Sequence, residues 1–228
     1  MKAKTIEKFS GFTPETFRFF NDLKENNYKP WFDEHKPVYE LEVRQPLKAL
    51  VLALTPAFYA IDPQMNFNPS KIISRIYRDI RFSNDKSPYK THLWFTFQRI
   101  VQQWENFPGF YGEISENGYQ YGMGLFMAKK KVMDDFRSKI EYDSEHFKAI
   151  TEDLIGKHGY IIGGEPYKRP LNNDLPEYFQ AWIQVKSLYL YKNFPVGEEM
   201  FREDFAQRLA DEFTLLQPLY DFMVDVCD

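Results

Sequence analysis

Cysteine is almost missing from this chain: Cys227 is the only one, so no disulfide can form within it and the fold must rest on its core. That usage fits a reducing compartment, and the cytoplasm is the expected location. Long apolar runs are missing too. The longest, residues 49–60, is interrupted by Thr55 and Pro56 and falls short of the roughly 20 residues a membrane helix needs. The N-terminal Lys2, Lys4, Glu7 and Lys8 leave no apolar stretch for a secretory signal, so neither export nor a membrane is expected. Basic excess is absent, since the net charge is −4, which weighs against a surface that coats nucleic acid. Histidine is scarce: His35, His92, His146 and His158 are scattered, without a paired histidine motif or an acidic loop of ligand spacing, and no metal or cofactor is expected. The glycine pairs Gly163-Gly164 and Gly122-x-Gly124 lack the spacing of a phosphate loop.

Aromatic residues are abundant, at 18% with 22 Phe and 15 Tyr, and 228 residues suffice for a large core. One domain over residues 1–228 is expected; the oligomeric state is left open. Thr13-Pro14-Glu15 reads as a helix start, with Phe17, Phe20 and Leu23 at helical spacing up to Asn26 and Asn27. Helical spacing continues from Lys29 to Tyr59, punctuated by Pro30, Pro37, Pro46 and Pro56 as starts of short helices or as kinks. Asp62 to Ser70 reads as a loop. The period then changes to two. Leu93, Phe95 and Phe97 mark one strand, Phe110 to Ser115 a second, and Tyr119 to Met127 a third, the last two joined by a hairpin with Asn117-Gly118 as its tight turn. Helices return from Val132 and from a Ser144 cap, a loop spans Gly156 to Pro176, Trp182 to Tyr191 reads as strand, and Glu198 to Gln217 as a helix that Pro218 ends or kinks. The fold class is α+β: a helical N-terminal part, a central antiparallel sheet, and helices packed on one face.

Basic charge is concentrated between Lys71 and Lys90. Six cations stand there against Asp79 and Asp85, a local +4 that leaves −8 for the rest. Arg75, Arg78, Asp79, Arg81, Phe82, Lys86 and Tyr89 form the densest constellation. Arginine offers a planar fork that grips phosphate or carboxylate, so converging guanidinium groups make an anion site. Equally, Asp79 and Asp85 can pair with these arginines in a partly buried network that orders the segment and binds nothing. In an extended backbone Arg75, Tyr77, Asp79 and Arg81 share one face; in a helix Arg75, Arg78, Asp79 and Phe82 align. β-Branched Ile72, Ile73, Ile76 and Ile80 favour the extended form, with Arg75 and Arg81 as a pair and the loop from Ser83 to Ser87 returning Lys86 toward them.

This run, Arg-x-x-Arg-Asp-x-Arg-Phe-x-x-x-Lys-x-x-Tyr, resembles the hallmark of a bacterial family catalogued as domain of unknown function 2461. Asn26-Asn27 ahead of Trp31-Phe32, the tetrad Tyr167-Lys168-Arg169-Pro170, and the chain length look like that family too. The resemblance implies a bacterial source and no particular activity.

Two function classes follow. In the first, Arg75, Arg78, Arg81, Lys86 and Tyr89, with Lys168 and Arg169 from a second basic patch expected to fold toward them, hold a small phosphate- or carboxylate-bearing ligand. In this reading Asp79 and Asp85 orient the arginines and His92 carries a proton beside the bound anion. In the second, a non-catalytic interaction module, the Arg/Asp motif is a structural network and Arg81→Ala is strongly destabilising. Ser87-Pro88-Tyr89-Lys90 matches the Ser-x-x-Lys of serine acylases only formally, because the distant partner motifs are missing. Trp31, Phe32, Tyr39, Trp94, Trp104 and Trp182 are expected in the core.

Overall fold

The computed structural model describes residues 8–81 and 84–227. Its N-terminal part is helical: α1 (Pro14–Glu25), α2 (Lys29–Val38), a π-helical turn (Tyr39–Arg44) and α3 (Gln45–Ile61). Pro14, Pro30 and Pro46 sit in first turns, while Pro37 and Pro56 lie inside helices. The π turn has a local cause. Pro46 has no N–H to offer the Glu42 carbonyl four residues back, and the Thr16 hydroxyl donates to that carbonyl instead, at 2.6 Å. The expected loop after α3 contains the one-turn helix α4 (Pro69–Ile72), whose first turn is capped by the Asn68 side chain accepting from the Ser70 N–H.

Five strands follow in an antiparallel sheet: β1 (His92–Phe97), β2 (Gly109–Ser115), β3 (Gly118–Leu125), β4 (Ile161–Gly163) and β5 (Leu188–Pro195), in spatial order β1-β2-β3-β5-β4. The expected hairpin forms, shifted by one residue at its turn. Ser115 pairs with Gly118, so Glu116 and Asn117 are the turn residues, and Gly118, at φ +139°, opens β3. The loop expected from Gly156 to Pro176 contains β4. Trp182 lies in α7 (Glu177–Ile183) and not in a strand, because Phe179, Trp182 and Ile183 share one helical face and Trp182 packs edge-on against Phe147. The helix expected from Glu198 to Gln217 is a 3₁₀ turn (Glu198–Phe201) followed by α8 (Phe205–Leu215), and Pro218 stands in the first turn of a further helix, α9 (Gln217–Cys227). Helices α5 (Lys130–Tyr142) and α6 (Ser144–Gly156) occupy their expected places, with Ser144 the first helical residue and not the cap.

Helices cover one face of the sheet. Phe58 of α3 stacks on Phe97 (3.9 Å between centroids) and meets Phe110; Phe213 of α8 meets Phe110 and Tyr121; Tyr220 of α9 meets Phe110. Leu93, Phe95 and Phe97 therefore point into the core, and His92, Trp94 and Thr96 point to the other face.

Candidate functional site

The basic segment is built as an arm beside β1. From α4 it runs extended to Asp79: Ile76 is buried and Arg78 partly buried while Arg75, Tyr77 and Asp79 are exposed, the alternation expected of an extended backbone, and it ends in a turn at Ile80 and Arg81, both exposed. Ile73 bridges Phe95, the Ser74 N–H donates to the Trp94 carbonyl (2.8 Å), and the Trp94 N–H donates to Ser74 Oγ (3.0 Å). Further along, Tyr77 bridges Tyr89, the Arg78 N–H reaches the Pro88 carbonyl (2.9 Å), and the Lys90 N–H reaches the Ile76 carbonyl (2.8 Å). The arm is tied to the helical part by Asn27. Its carboxamide accepts from the Tyr89 N–H and donates to the Tyr89 carbonyl, both at 3.0 Å, doing for Tyr89 what a neighbouring strand would. The Tyr89 ring is buried, stacked on Phe32 at 4.1 Å, so Tyr89 serves the core and offers nothing to a ligand.

The charges of the arm divide. Arg81 and Asp79 form a bidentate pair (2.9 and 2.7 Å) that is exposed on both sides, and the Arg81 hydrogen bonds hold the Asp79 carboxyl down at about 2. Arg81 is thus committed to Asp79, not to Arg75, and the pair is not the buried network whose loss would be costly. Lys86 Nζ donates to the Ile80 carbonyl (2.7 Å). Asp85 accepts from the Ser87 N–H (2.9 Å) and pairs with Arg78 (3.0 Å), whose Nη2 also reaches the Tyr89 carbonyl (3.3 Å). Arg78 Nε is buried and has no hydrogen-bond partner among the described residues. Phe82 and Ser83 lie outside the described residues.

Between the arm, the open face of β1 and the segment that follows it lies a groove of about 1000 Å³. Six cations line it, Lys71, Arg75, Arg78, Arg81, Lys90 and Arg99, against the lone carboxylate Asp79. Its apolar wall is Ile73, Tyr77, Trp94, Ile100, Val101 and Trp104. Trp94 and Trp104 are therefore groove residues and not core, Trp104 being 50% exposed; the alternation of Leu93, Phe95 and Phe97 already places Trp94 on the opposite face. Trp31 is partly buried, and Phe32, Tyr39 and Trp182 are core as expected.

Lys90 Nζ donates to the Arg75 carbonyl (2.8 Å) and stands 4.1 Å from the centre of the Trp94 ring. Burial, with Arg78 nearby, holds its pKa below the usual lysine range. His92 stacks beside Trp94 at 5.6 Å, and burial, Lys90 and Arg78 together disfavour its protonated form. Arg99 enters the groove wall from a buried pair: its Nε donates to Asp62 Oδ2 (2.6 Å), the Tyr220 hydroxyl donates to the same oxygen (2.6 Å), and Asp62 Oδ1 accepts from the Gln64 N–H (2.9 Å). Lys90, which closes the basic segment, and Arg99 were not among the expected site residues, Asn27 was expected only as a helix end and a point of resemblance, and Trp94 and Trp104 were expected in the core. For Arg99 no sequence signal exists, because its partner lies 37 residues upstream.

Lys168 and Arg169 do not join this site. Pro166 bridges Val185 and the Tyr167 N–H donates to the Gln184 carbonyl (3.0 Å), which places the tetrad beyond β4, at the sheet edge opposite β1. Four strand spacings, roughly 19 Å, lie between the two edges. What the tetrad does is structural: the Tyr167 hydroxyl accepts from Arg137 (3.3 Å), a buried arginine that also donates to the Ile183 (2.8 Å) and Val185 (2.6 Å) carbonyls. A second cavity, about 490 Å³ between α5 and α9, is lined by Lys139, paired with Asp225, by His146, within hydrogen-bond distance of Asp143, and by Asp221. Among the described residues no group of three His, Cys, Asp or Glu is placed to hold a metal ion, and no helix is long and apolar enough to cross a membrane.

Compared with known families, the chain matches over residues 15–222 the model of one described as "Conserved hypothetical protein (DUF2461)". No curated protein sequence matches it.

Proposed function

Because the chain belongs to the DUF2461 family, whose function is unassigned, we propose a role from its geometry alone: the groove beside β1 recognises a small organic anion. The observation that carries this reading is the lining's charge: of its six cations Arg78, Arg81 and Arg99 are paired with Asp85, Asp79 and Asp62, while Lys71, Arg75 and Lys90 make no ion pair among the described residues. A cleft lined by charge of one sign concentrates ligands of the other. The Arg75 side chain makes no ion pair among the described residues, and Arg78 keeps a buried Nε donor unused. Guanidinium forks suit phosphate or carboxylate, and the wall of Trp94, Trp104 and Ile100 suits an apolar or aromatic body on the same molecule. Lys86, whose ammonium is taken by a backbone carbonyl, orders the arm.

A second reading rests on the pairs Arg78–Asp85 and Arg81–Asp79, which favour an arm ordered by its own charges. Thermal shift separates the two. A ligand at a hundredfold excess over its dissociation constant stabilises by about 2.7 kcal/mol, which in a chain of this size raises the melting temperature by about 5–11 °C. We expect phenyl phosphate to outperform inorganic phosphate and benzoate to act detectably. Arg75→Ala is expected to remove most of the shift while moving the unliganded melting temperature by no more than about 2 °C, as for other exposed substitutions. Lys168→Ala and Arg169→Ala should leave the shift intact. Absence of any shift with all three anions favours the self-paired arm.

A further inference from the structure

We propose that Lys90 is a nucleophilic amine that captures the carbonyl of an anionic aldehyde, ketone or 2-oxo acid as an imine, an assignment that rests on the anion reading of the groove. Lys90 differs from the other lysines in its surroundings. Lys29, Lys130, Lys131 and Lys192 each face a carboxylate within ion-pairing distance, and Lys71, the other lysine of the groove, is exposed. Lys90 is half-buried, opens onto the groove, and has no carboxylate partner among the described residues.

Its position is fixed by two contacts, the Arg75 carbonyl at 2.8 Å and the Trp94 ring at 4.1 Å. Both favour the ammonium form, but burial and the Arg78 charge oppose it and prevail, so the free amine is reached at a lower pH than at a surface lysine. Arg75 and Arg78 stand on the same arm to hold a carboxylate or phosphate while the amine meets the carbonyl, which turns an encounter in solution into a reaction within one site. The free amine's lone pair forms the C–N bond as the carbonyl π pair moves to oxygen. The two nitrogen protons pass to that oxygen, which leaves as water as the C=N bond closes. Nothing is oxidised or reduced.

The probe is pyridoxal phosphate, an anionic aromatic aldehyde, at substoichiometric amounts with borohydride to reduce the imine, followed by peptide mapping of the whole chain; pyridoxal without its phosphate is the matched control. We expect the adduct on Lys90 to form at least tenfold faster than on any exposed lysine, to form tenfold slower with pyridoxal, and to be slowed by inorganic phosphate. Its pH midpoint should lie below the usual lysine range, and Lys90→Arg should lose the fast adduct. Labelling of Lys90 no faster than of Lys71 or Lys168 overturns the proposal, and if phosphate still raises the melting temperature, the anion reading survives without it. Fast labelling by both aldehydes, unprotected by phosphate, overturns the anionic half of the assignment and the anion reading with it.

Discussion

Asn27 acts on a residue 62 positions away, and it does so through backbone groups. Replacing it with alanine removes the sole hydrogen-bond acceptor assigned to the Tyr89 N–H among the described residues, whereas the Tyr89 carbonyl keeps Arg78. A buried donor left unmade costs about 1–3 kcal/mol, so Asn27→Ala is expected to lower the melting temperature by several degrees. Its neighbour Asn26 donates only to the exposed end of α1, and Asn26→Ala should cost less; equal losses in a parallel melt would contradict the clamp. The contrast shows what was legible at this scale. Asn26-Asn27 was visible as a helix end, but a side chain that imitates a strand partner leaves no mark on local periodicity. The extended backbone of the arm was legible because its isoleucines are β-branched, whereas the Arg81–Asp79 pair depends on rotamers that spacing does not fix.

Among elements, α9 was not expected from the sequence, where Pro218 ends or kinks the preceding helix; it stands instead in the first turn of α9. This helix is pinned by Tyr220, whose hydroxyl donates to Asp62. Burial alone would raise the Asp62 pKa, but the hydrogen bonds from Tyr220, Arg99 and the Gln64 N–H outweigh it and hold the carboxyl below its ordinary value. A folded-state pKa lower than the unfolded one gives stability that is present above the ordinary carboxylate range and lost as pH falls through the folded value. Asp221, raised by burial, Asp225 and Asp62, titrates in the opposite sense, so the informative quantity is a difference between proteins. Tyr220→Phe should lose about 1.5–3 kcal/mol at neutral pH, the range for a hydrogen bond to a charged group, and should lose less additional stability than the parent between pH 5 and pH 2. Urea midpoints across that range check both; parallel curves would mean that Tyr220 does not set the Asp62 charge. The strand assigned to Trp182 was misplaced because a short apolar run fits either period, and packing against Phe147 decides it.

For the molecule as a whole, buried side chains from Phe9 to Val224 belong to one contiguous cluster. We therefore expect a single calorimetric transition whose van't Hoff and calorimetric enthalpies agree; two resolved transitions would divide the chain. Fold class was readable because the change from period 3.6 to period 2 and back is a property of long segments. Strand order was not, and it was the order that separated Lys168 and Arg169 from the arm. The same order gives the arm a second consequence. An edge strand with unpaired backbone groups is a template on which another chain can add. Here the outer edge of β1 is occupied by the protein itself: Asn66 donates to the Gln98 carbonyl (2.9 Å), Met65 bridges Arg99, and Ser74 and Ile73 meet Trp94 and Phe95. The opposite edge is β4, three residues long, which offers too little length for a lasting addition. The segment that forms the groove is thus also the cover that keeps this aromatic sheet from growing, copy upon copy, into a filament.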